Sequence, residues 1–325
     1  MEQVGPTPIF IFSLPRSGST LLQKIIASST EVGTSSEPWL LLPLVYSQRD
    51  KGTVTEYSHE HSLLAFQDVR SRLHSNNVSH DQLLREFVLK IYGGLTSDKK
   101  KYFLDKTPRY YLIISEIVRI FPNAKFIFLF RNPLAQFSSH LKIHRERFRT
   151  MYFNAIDIVF GHNLLAEGYD LVKKDCLKIS YWELVSEEEN TINKLNAFLG
   201  TKIDNDIVNG LKSVELKGNL GDPGLMANAR AGVNTASLEK WKTSIDSTLR
   251  KRLASAHLNS IGNRYFELLG TTKSQLLEQI NDIEIKYLFK IRDVADIIYC
   301  FLNMKLKLAL LFSKKYFWSK FKRLS

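Results

Sequence analysis

The chain has 325 residues, of which 44% are hydrophobic, and its formal net charge is +12. This size and composition allow one large domain or two modest ones, each with a buried core. The positive charge favours an anionic partner: a nucleotide, a nucleic acid, an anionic membrane surface, or a sulfated or phosphorylated ligand. No apolar stretch reaches the roughly 20 residues that a membrane-spanning helix needs.

The sequence predicts a cytoplasmic protein. Cys176 and Cys300 lie far apart and form no metal-binding cluster, as is usual for two reduced thiols. Pro6 and Pro8 lead directly into a short strand, where a signal peptide would have a charged segment followed by an apolar one. We therefore expect no leader peptide. The membrane surface is a second location to consider, because the carboxyl-terminal residues are basic.

Strands and helices alternate along the first 200 residues. Apolar runs at residues 9–13, 124–130 and 177–180 predict buried strands, and each is followed by a segment with helical features. This order is typical of an α/β fold, namely a P-loop-like doubly wound parallel sheet flanked by helices. We predict one domain over residues 1–270 and a basic, amphipathic helical extension over residues 271–325.

Helix boundaries are predicted from local signals. A helix is expected from Ser19 to Ser28, and another begins after the N-cap residue Ser79. Residues 107–108, Thr-Pro, predict the start of a helix with proline in the first helical position. Residues 186–189 have the spacing of a capping box, which would open a helix that ends at Gly200.

Residues 14–22, LPRSGSTLL, join the first predicted strand to the first predicted helix. Gly18 lets the backbone approach a ligand closely, and Arg16 supplies a fixed positive charge. The backbone N–H groups of the first helical turn and the helix dipole favour an anion here. An alternative interpretation is a hydroxyl-rich helix cap beside a surface arginine. Three hydroxyls add further donors: Ser17, Ser19 and Thr20.

The residues that this loop lacks narrow the kind of anion. A nucleoside-triphosphate loop continues from its first glycine to Gly-Lys-Ser/Thr, whereas Gly18 is followed by Ser19 and Thr20. A magnesium enzyme also needs a carboxylate after a neighbouring strand, and the strand at 124–130 is followed by Arg131. The sequence therefore predicts a cationic, metal-free cradle. A magnesium-dependent P-loop kinase is disfavoured.

Two motifs resemble those of a known family. Residues 14–22 are similar to the 5′-phosphosulfate loop of sulfotransferases that use 3′-phosphoadenylyl sulfate (PAPS) as the donor. Residues 128–139, FLFRNPLAQFSS, resemble the family's 3′-phosphate motif, with Arg131 after a strand and Ser139 eight residues later. The likeness covers roughly residues 8–270. It points to the branch that contains tyrosylprotein sulfotransferases and the broad group of bacterial sulfotransferases.

The resemblance implies roles for four further residues. Glu37 occupies the place of the catalytic glutamate, and Lys106 matches a lysine of the family that precedes Thr-Pro. Tyr181 and Lys240 match residues that contact the nucleotide. Without the resemblance, Glu37 would be interpreted as a carboxylate at a helix N-terminus, Lys106 as an exposed lysine and Tyr181 as a buried tyrosine.

The chain departs from the family pattern in two places. Residues 218–224 predict a loop over the nucleotide but align only loosely. Ile143 stands near the position of a basic residue that follows the 3′-phosphate serine in the family, with His144 or Arg145 as substitutes. These departures concern the nucleotide side of the site.

The implied reaction moves a sulfuryl group from PAPS to a hydroxyl or amine of an acceptor. The resemblance and the residue types assign Glu37 as the general base, and Arg16 and Lys106 as cations that stabilise the leaving nucleotide. Arg131 and Ser139 would hold the 3′-phosphate. A PAPS-binding protein without turnover is the alternative. No nucleic-acid-binding motif accompanies the basic charge, so we expect no nucleic-acid partner.

Residues 286–325 form a basic tail with eight lysines and two arginines against Asp293 and Asp296. Lys305 and Lys307 interrupt its apolar stretch, which disfavours a spanning helix. A helix lying in the headgroup region of an anionic membrane is one interpretation. A helix that packs its apolar face on the domain is the other.

Overall fold

The computed structural model describes residues 5–50, 53, 55–96, 100–143, 146–148, 154–203, 214, 216–217, 235 and 238–302. Three sequence predictions lie outside these residues: the loop at 218–224, the substitutes His144 and Arg145, and the tail beyond residue 302.

The described residues contain a five-stranded sheet in which every strand pair is parallel. Its strand order is β2-β3-β1-β4-β5, with β1 in the centre. This architecture confirms the predicted α/β fold with helices on both faces of a parallel sheet. The strands are β1 (Thr7–Ser13), β2 (Val32–Thr34), β3 (Tyr102–Asp105), β4 (Lys125–Phe130) and β5 (Cys176–Ser180).

The two faces of the sheet carry different side chains because alternate residues of a strand point to opposite faces. In β1, Phe10 and Phe12 enter a core rich in aromatic residues, whereas Ile9 and Ile11 enter an aliphatic core on the other face. Strand β4 repeats this alternation over residues 126–130. Both faces are therefore covered, as a parallel sheet requires.

Helices α1 and α10 cover the aliphatic face, and most of the other helices lie on the aromatic face. The described helices are α1 (Ser19–Ala27), α2 (Leu41–Tyr46), α3 (His59–Ser75), α4 (His80–Gly94), α5 (Ile114–Ile120), α6 (Pro133–Ile143), α7 (Ala155–Val159), α8 (Gly161–Val172), α9 (Tyr181–Ser186), α10 (Glu188–Leu199), α11 (Thr248–Ser260), α12 (Asn263–Leu269) and α13 (Lys273–Asn281).

The predicted start of a helix at residues 107–108 is wrong. A 3₁₀ turn forms at Tyr110–Leu112, and α5 begins only at Ile114. Thr107 does not cap a helix because its hydroxyl donates to Asp105 and accepts from the backbone N–H of Trp39. Hydrogen bonds to other segments thus take up the Thr107 hydroxyl, which the local sequence predicted to cap a helix.

The capping box predicted at residues 186–189 is also wrong. Helix α10 has Glu187 at its N-cap without a side-chain hydrogen bond. The capping box instead opens the short helix α9, where the Ser180 hydroxyl and the Glu183 carboxylate each bond the other residue's backbone N–H. The predicted end of α10 at Gly200 is confirmed, with φ of 64° at that glycine.

The residues after 270 continue the packing. Leu276 and Ile280 of α13 are buried in the aromatic core. Residues 291–302 form a further helix. Within the described part of the chain, no helix combines the length and the apolar character needed to cross a bilayer. The domain boundary at residue 270 stays a prediction.

Candidate active site

Side chains from all five strand ends meet at one edge of the sheet. Because the strands are parallel, their carboxyl ends lie at the same edge, where α/β proteins bind their ligands. The five residues that follow β1 to β5 in turn are Arg16, Glu37, Lys106, Arg131 and Tyr181.

The loop after β1 has a backbone suited to an anion. Gly18 is the N-cap of α1, with φ of 90°, and no side chain caps this helix end. The N–H groups of the first turn therefore point out of the helix end without partners in the helix, where the dipole is positive. Arg16 also has a positive φ, 68°. The tight turn thus presents donors and charge on one side.

Tyr181 packs directly on this loop. A Cβ atom added at Gly18 would lie 2.5 Å from the Tyr181 ring, so only glycine fits there without a shift. The guanidinium of Arg131 lies 4.0 Å from the centre of the same ring. Tyr181 thus links the loop after β1 with the end of β4 by packing and by a cation–π contact.

Arg131 and Arg16 bring two positive charges together. Arg131 Nη1 donates to the backbone oxygen of Arg16 at 2.8 Å, and Arg16 Nε donates to Ser139 Oγ at 3.1 Å. Burial lowers the pKa of Arg131 from its ordinary value, and the neighbouring Arg16 charge lowers it further, while Tyr181 opposes this. Arg131 Nε is buried and has no hydrogen-bond partner among the described residues. An anion at this place would relieve both the repulsion and the unsatisfied donor.

Glu37 and Lys106 form an ion pair beside the loop. Lys106 Nζ lies 2.7 Å from Glu37 Oε1 and donates to Thr20 Oγ1 at 3.3 Å. The other carboxylate oxygen, Oε2, accepts from the indole N–H of Trp39 at 3.2 Å. The Lys106 side chain is only 1% exposed and the Glu37 side chain 12%. The contacts that hold this buried lysine beside the loop thus include the Glu37 carboxylate and the Thr20 hydroxyl.

Glu37 and the loop after β1 border a small cleft of about 160 Å³. It places the loop, the first turn of α1 and the candidate base around one volume. The lining residues are Pro15, Arg16, Gly18, Ser19, Thr20, Glu37 and Pro108.

Ser17 faces the other way, towards a polar network that the sequence did not reveal. Its side chain is fully buried, and its Oγ accepts from Gln136 Nε2 at 2.6 Å. Gln136 Oε1 in turn lies 2.8 Å from His162 Nε2, so the ring must donate from that nitrogen. Burial lowers the pKa of His162 well below its ordinary value. The neutral ring, through Gln136, anchors the loop to α6.

A second unpredicted network surrounds Asp105 at the end of β3. Its carboxylate accepts hydrogen bonds from the hydroxyls of Tyr92, Tyr110 and Thr107 at 2.6, 2.8 and 3.1 Å. Tyr110 Oη also accepts from the backbone N–H of Leu41. Asp105 thereby positions the segment that follows Glu37. Burial raises the pKa of this carboxyl to about 6 against the three hydroxyl donors, which lower it.

Lys240 stands apart from the other predicted residues. It is exposed, and its backbone oxygen accepts from Lys142 Nζ at the end of α6, the helix that also carries Ser139. Its proposed contact with the nucleotide stays a prediction. Among the described residues, no three His, Cys, Asp or Glu side chains are grouped so as to hold a metal ion.

The chain belongs to the sulfotransferase family. The family's model matches residues 8–205, which include the loop after β1, Glu37, Lys106 and the Arg131–Ser139 motif. This match confirms the family that the two motifs indicated.

Curated relatives are similar at low identity. The nodulation protein NoeE of Sinorhizobium fredii is 29% identical over 41% of this chain and 31% of its own length. Protein-tyrosine sulfotransferase 2 of Gallus gallus is 24% identical over 72% of this chain and 62% of its own length. This chain thus spans less than two thirds of both relatives. A putative protein-tyrosine sulfotransferase of Caenorhabditis briggsae is 22% identical over 75% of this chain and 84% of its own length.

Solved structures share the fold. The sulfotransferase domain of the Synechococcus PCC 7002 olefin synthase has a TM-score of 0.50 and 20% identity, covering 75% of this chain and 90% of that domain. The sulfotransferase domain from the curacin biosynthetic pathway has the same TM-score and 21% identity, covering 79% of this chain and 98% of that domain.

Gly18→Ala should destabilise the protein by about 1–3 kcal/mol, because alanine is strained at positive φ and its methyl group would collide with Tyr181. Urea unfolding measures the effect. Gly94→Ala is the matched control, since no atom lies within 4 Å of a Cβ at that helical position. Equal stability of the two variants would contradict this role of Gly18.

Asp105 should make the free energy of unfolding depend on pH. Its pKa of about 6 in the folded protein exceeds the ordinary aspartate pKa of 3.8, so its stabilising contribution is complete below about pH 4 and disappears as the pH rises through about 6. Wild type should therefore gain stability relative to Asp105→Asn between about pH 7.5 and about pH 5 in urea titrations. Asp170→Asn is the control, because Arg264 lowers the pKa of Asp170, so this carboxylate stays ionised and its contribution should not change between about pH 7.5 and about pH 5. A pH-independent difference for Asp105→Asn would contradict the shift.

Proposed function

We propose that this protein transfers a sulfuryl group from PAPS to a hydroxyl or amine acceptor and releases adenosine 3′,5′-bisphosphate. The observation that carries the proposal is the Lys106–Glu37 pair beside the loop after β1. A buried cation and a carboxylate at 2.7 Å, next to an anion-binding helix end, are the two groups that sulfuryl transfer needs.

The chemistry requires one proton acceptor and one stabilised leaving group. A bond forms between the acceptor oxygen or nitrogen and sulfur, while the bond from sulfur to the bridging phosphate oxygen breaks. The acceptor proton passes to Glu37, and negative charge builds on the bridging oxygen. Arg16, Lys106 and the N–H groups of the loop can stabilise that charge.

The ion pair suggests how Glu37 becomes available as a base. Without substrate, Lys106 neutralises the carboxylate through Oε1, while Trp39 holds Oε2. A donor phosphosulfate in the cleft would offer Lys106 a second anion, beside the Thr20 hydroxyl that it already contacts. Engaging Lys106 with the donor would leave Oε1 of Glu37 available for the acceptor proton.

Arg131 and Ser139 are proposed to bind the 3′-phosphate. The buried, unpartnered Nε of Arg131 and the Ser139 hydroxyl at Arg16 support this assignment. Ser17, Gly18, Ser19 and Thr20 are proposed to hold the 5′-phosphosulfate, and Ser17 would do so through its backbone, since its hydroxyl is turned to Gln136. Tyr181 would keep the two phosphate sites in register through its contacts with Gly18 and Arg131.

Radiolabelled PAPS tests the proposed reaction. The purified protein is incubated with acceptors of four classes: a tyrosine peptide, an oligosaccharide, a lipid headgroup and a small phenol. Labelled product that forms equally well in excess EDTA is the expected result. Binding of PAPS without transfer to any class would favour the non-catalytic alternative.

Glu37→Gln should lower kcat by about 10²–10⁴-fold, because it removes the base and leaves an oxygen for Lys106. Binding of adenosine 3′,5′-bisphosphate, measured by calorimetry, should be nearly unchanged. Glu31→Gln is the control, because Glu31 precedes β2 at the opposite edge of the sheet. Near-normal kcat of Glu37→Gln on an identified acceptor would leave Glu37 with a structural role alone.

Adenosine 3′,5′-bisphosphate should bind about tenfold or more tightly than AMP, because charge-assisted hydrogen bonds hold its additional phosphate. Ser139→Ala should reduce that ratio and leave the affinity for AMP unchanged in calorimetry. Ser138→Ala, whose hydroxyl contacts Ser244 instead, is the neighbouring control. Equal affinities of wild type for the two nucleotides would contradict the role of Arg131 and Ser139.

A further inference from the structure

The helix at residues 291–302 turns two aspartates towards the domain together with apolar residues. Four residues at helical spacing turn towards the domain: Asp293, Asp296, Ile297 and Cys300. Asp293 and Asp296 are 0% and 2% exposed. An ordinary surface helix of a water-soluble domain packs an apolar stripe inward and exposes its charges. This helix buries two carboxylates instead.

Both buried carboxylates are paired with arginines. Asp293 accepts from Arg250 Nε and Nη2 at 2.6 and 3.1 Å, and Arg250 is itself fully buried. Asp296 accepts from Arg147 Nε at 2.7 Å. Two-pronged arginine–carboxylate contacts have a defined geometry, so they fix the rotation of the helix about its axis.

Residues 286–288, which precede this helix, are held in place by backbone hydrogen bonds. The oxygens of Tyr287 and Leu288 accept from the N–H groups of Thr248 and Leu249 at 3.0 and 3.1 Å. The N–H of Lys286 donates to the Asp246 oxygen at 3.0 Å. The side chains of this segment are therefore left to point away from α11.

The outward side of both segments is apolar. We call this surface the apolar face; its members are Tyr287, Leu288, Phe289, Ile291, Ile298 and Leu302, with exposed fractions between 48% and 82%. Contiguous exposed apolar side chains of this size mark sites of contact with a protein or a membrane. Polar contacts on the inner side of both segments fix the backbone, so the apolar side chains of this face are held in exposed positions.

The charge around the apolar face identifies the partner. Lys286 is exposed within it, and Arg292, whose Nη2 lies 3.7 Å from Glu146 Oε2, is 46% exposed on the adjoining helix. Residues 303–325 continue directly from Leu302 and contain six lysines and one arginine with no aspartate or glutamate. Trp318 and several phenylalanines are interleaved with these basic residues. Apolar and aromatic side chains bordered by lysines match the chemistry of an anionic membrane surface.

We propose that the apolar face at residues 286–302 docks on an anionic lipid bilayer. Its apolar side chains enter the headgroup region, and Lys286 and Arg292 contact the lipid phosphates and carboxylates. The helix lies along the surface, with its buried Asp293 and Asp296 fastened to the domain.

Vesicle sedimentation with the full chain tests the proposal. The protein should sediment with vesicles of phosphatidylcholine containing about one third phosphatidylserine, and far less with phosphatidylcholine alone. Raising the salt from about 0.1 M to about 0.5 M should weaken the binding, because the attraction between exposed charges is screened.

Substitutions in the apolar face separate it from the charge of the tail. Ile291→Glu and Leu288→Glu should each lower the partition coefficient about tenfold or more, since each replaces an inserted apolar side chain by a charge. Leu171→Glu is the matched control, because Leu171 is 65% exposed on α8, outside the face. Thermal unfolding should be unchanged in all three variants, because the three side chains are exposed.

Three results would overturn the proposal. Absence of vesicle binding by the full chain at low salt would mean that something else covers the face. Binding that Ile291→Glu and Leu288→Glu leave intact would assign it to the basic tail alone. A dimer in lipid-free solution that Ile291→Glu dissociates, detected by analytical ultracentrifugation, would assign the face to a second copy of this chain.

Discussion

The arrangement of this protein depends on the parallel pairing of five strands. Parallel strands end at one edge of the sheet, so five loops that are distant in sequence converge there. Each loop contributes one side chain to this edge: Arg16, Glu37, Lys106, Arg131 and Tyr181. An antiparallel arrangement of the same strands would divide these residues between two edges. Because both faces of the sheet are covered by apolar cores, the strand ends are held with little freedom, and the site inherits their rigidity.

Positively charged side chains predominate at this edge of the sheet. Two arginines and a buried lysine lie together, and among the described residues that border the cleft Glu37 is the carboxylate that balances them. Neutral groups pack against these charges: the Tyr181 ring lies against Arg131, and the Gln136–His162 pair lies behind Ser17. Such preorganisation matters because donors already in position need no reorganisation when an anion binds. This arrangement supports the proposed binding of a donor that carries two separate phosphate groups.

In the carboxyl-terminal part, arginines and carboxylates have a structural role. There, Arg250 and Arg147 are paired with Asp293 and Asp296, and these ion pairs hold the helix at residues 291–302 against the domain. Because these ion pairs lie on the inner side of the helix, several of its apolar side chains are exposed to solvent. Beside the sheet, by contrast, apolar side chains fill the core. An enzyme with a membrane-facing surface would meet acceptors that are lipid-linked or close to a membrane. The proposed membrane contact would thus favour such acceptors in the proposed transfer reaction.

Local patterns in the sequence determined much of this protein, and tertiary contacts determined the rest. Strands β1, β4 and β5, the first helix and the end of α10 at Gly200 depend on neighbouring residues, so they could be predicted, whereas β2 and β3 were not predicted. The two motifs were sufficient to indicate the family. The helix start expected at 107–108 was wrong because Thr107 and Tyr110 bond Asp105, and the capping box was misplaced because Ser180 and Glu183 satisfy one another first. Gln136 and His162 gave no sequence signal, since their partners lie 119 and 26 residues away. The orientation of the 291–302 helix was decided by arginines more than 40 residues distant, because burying two paired carboxylates outweighed its local apolar pattern.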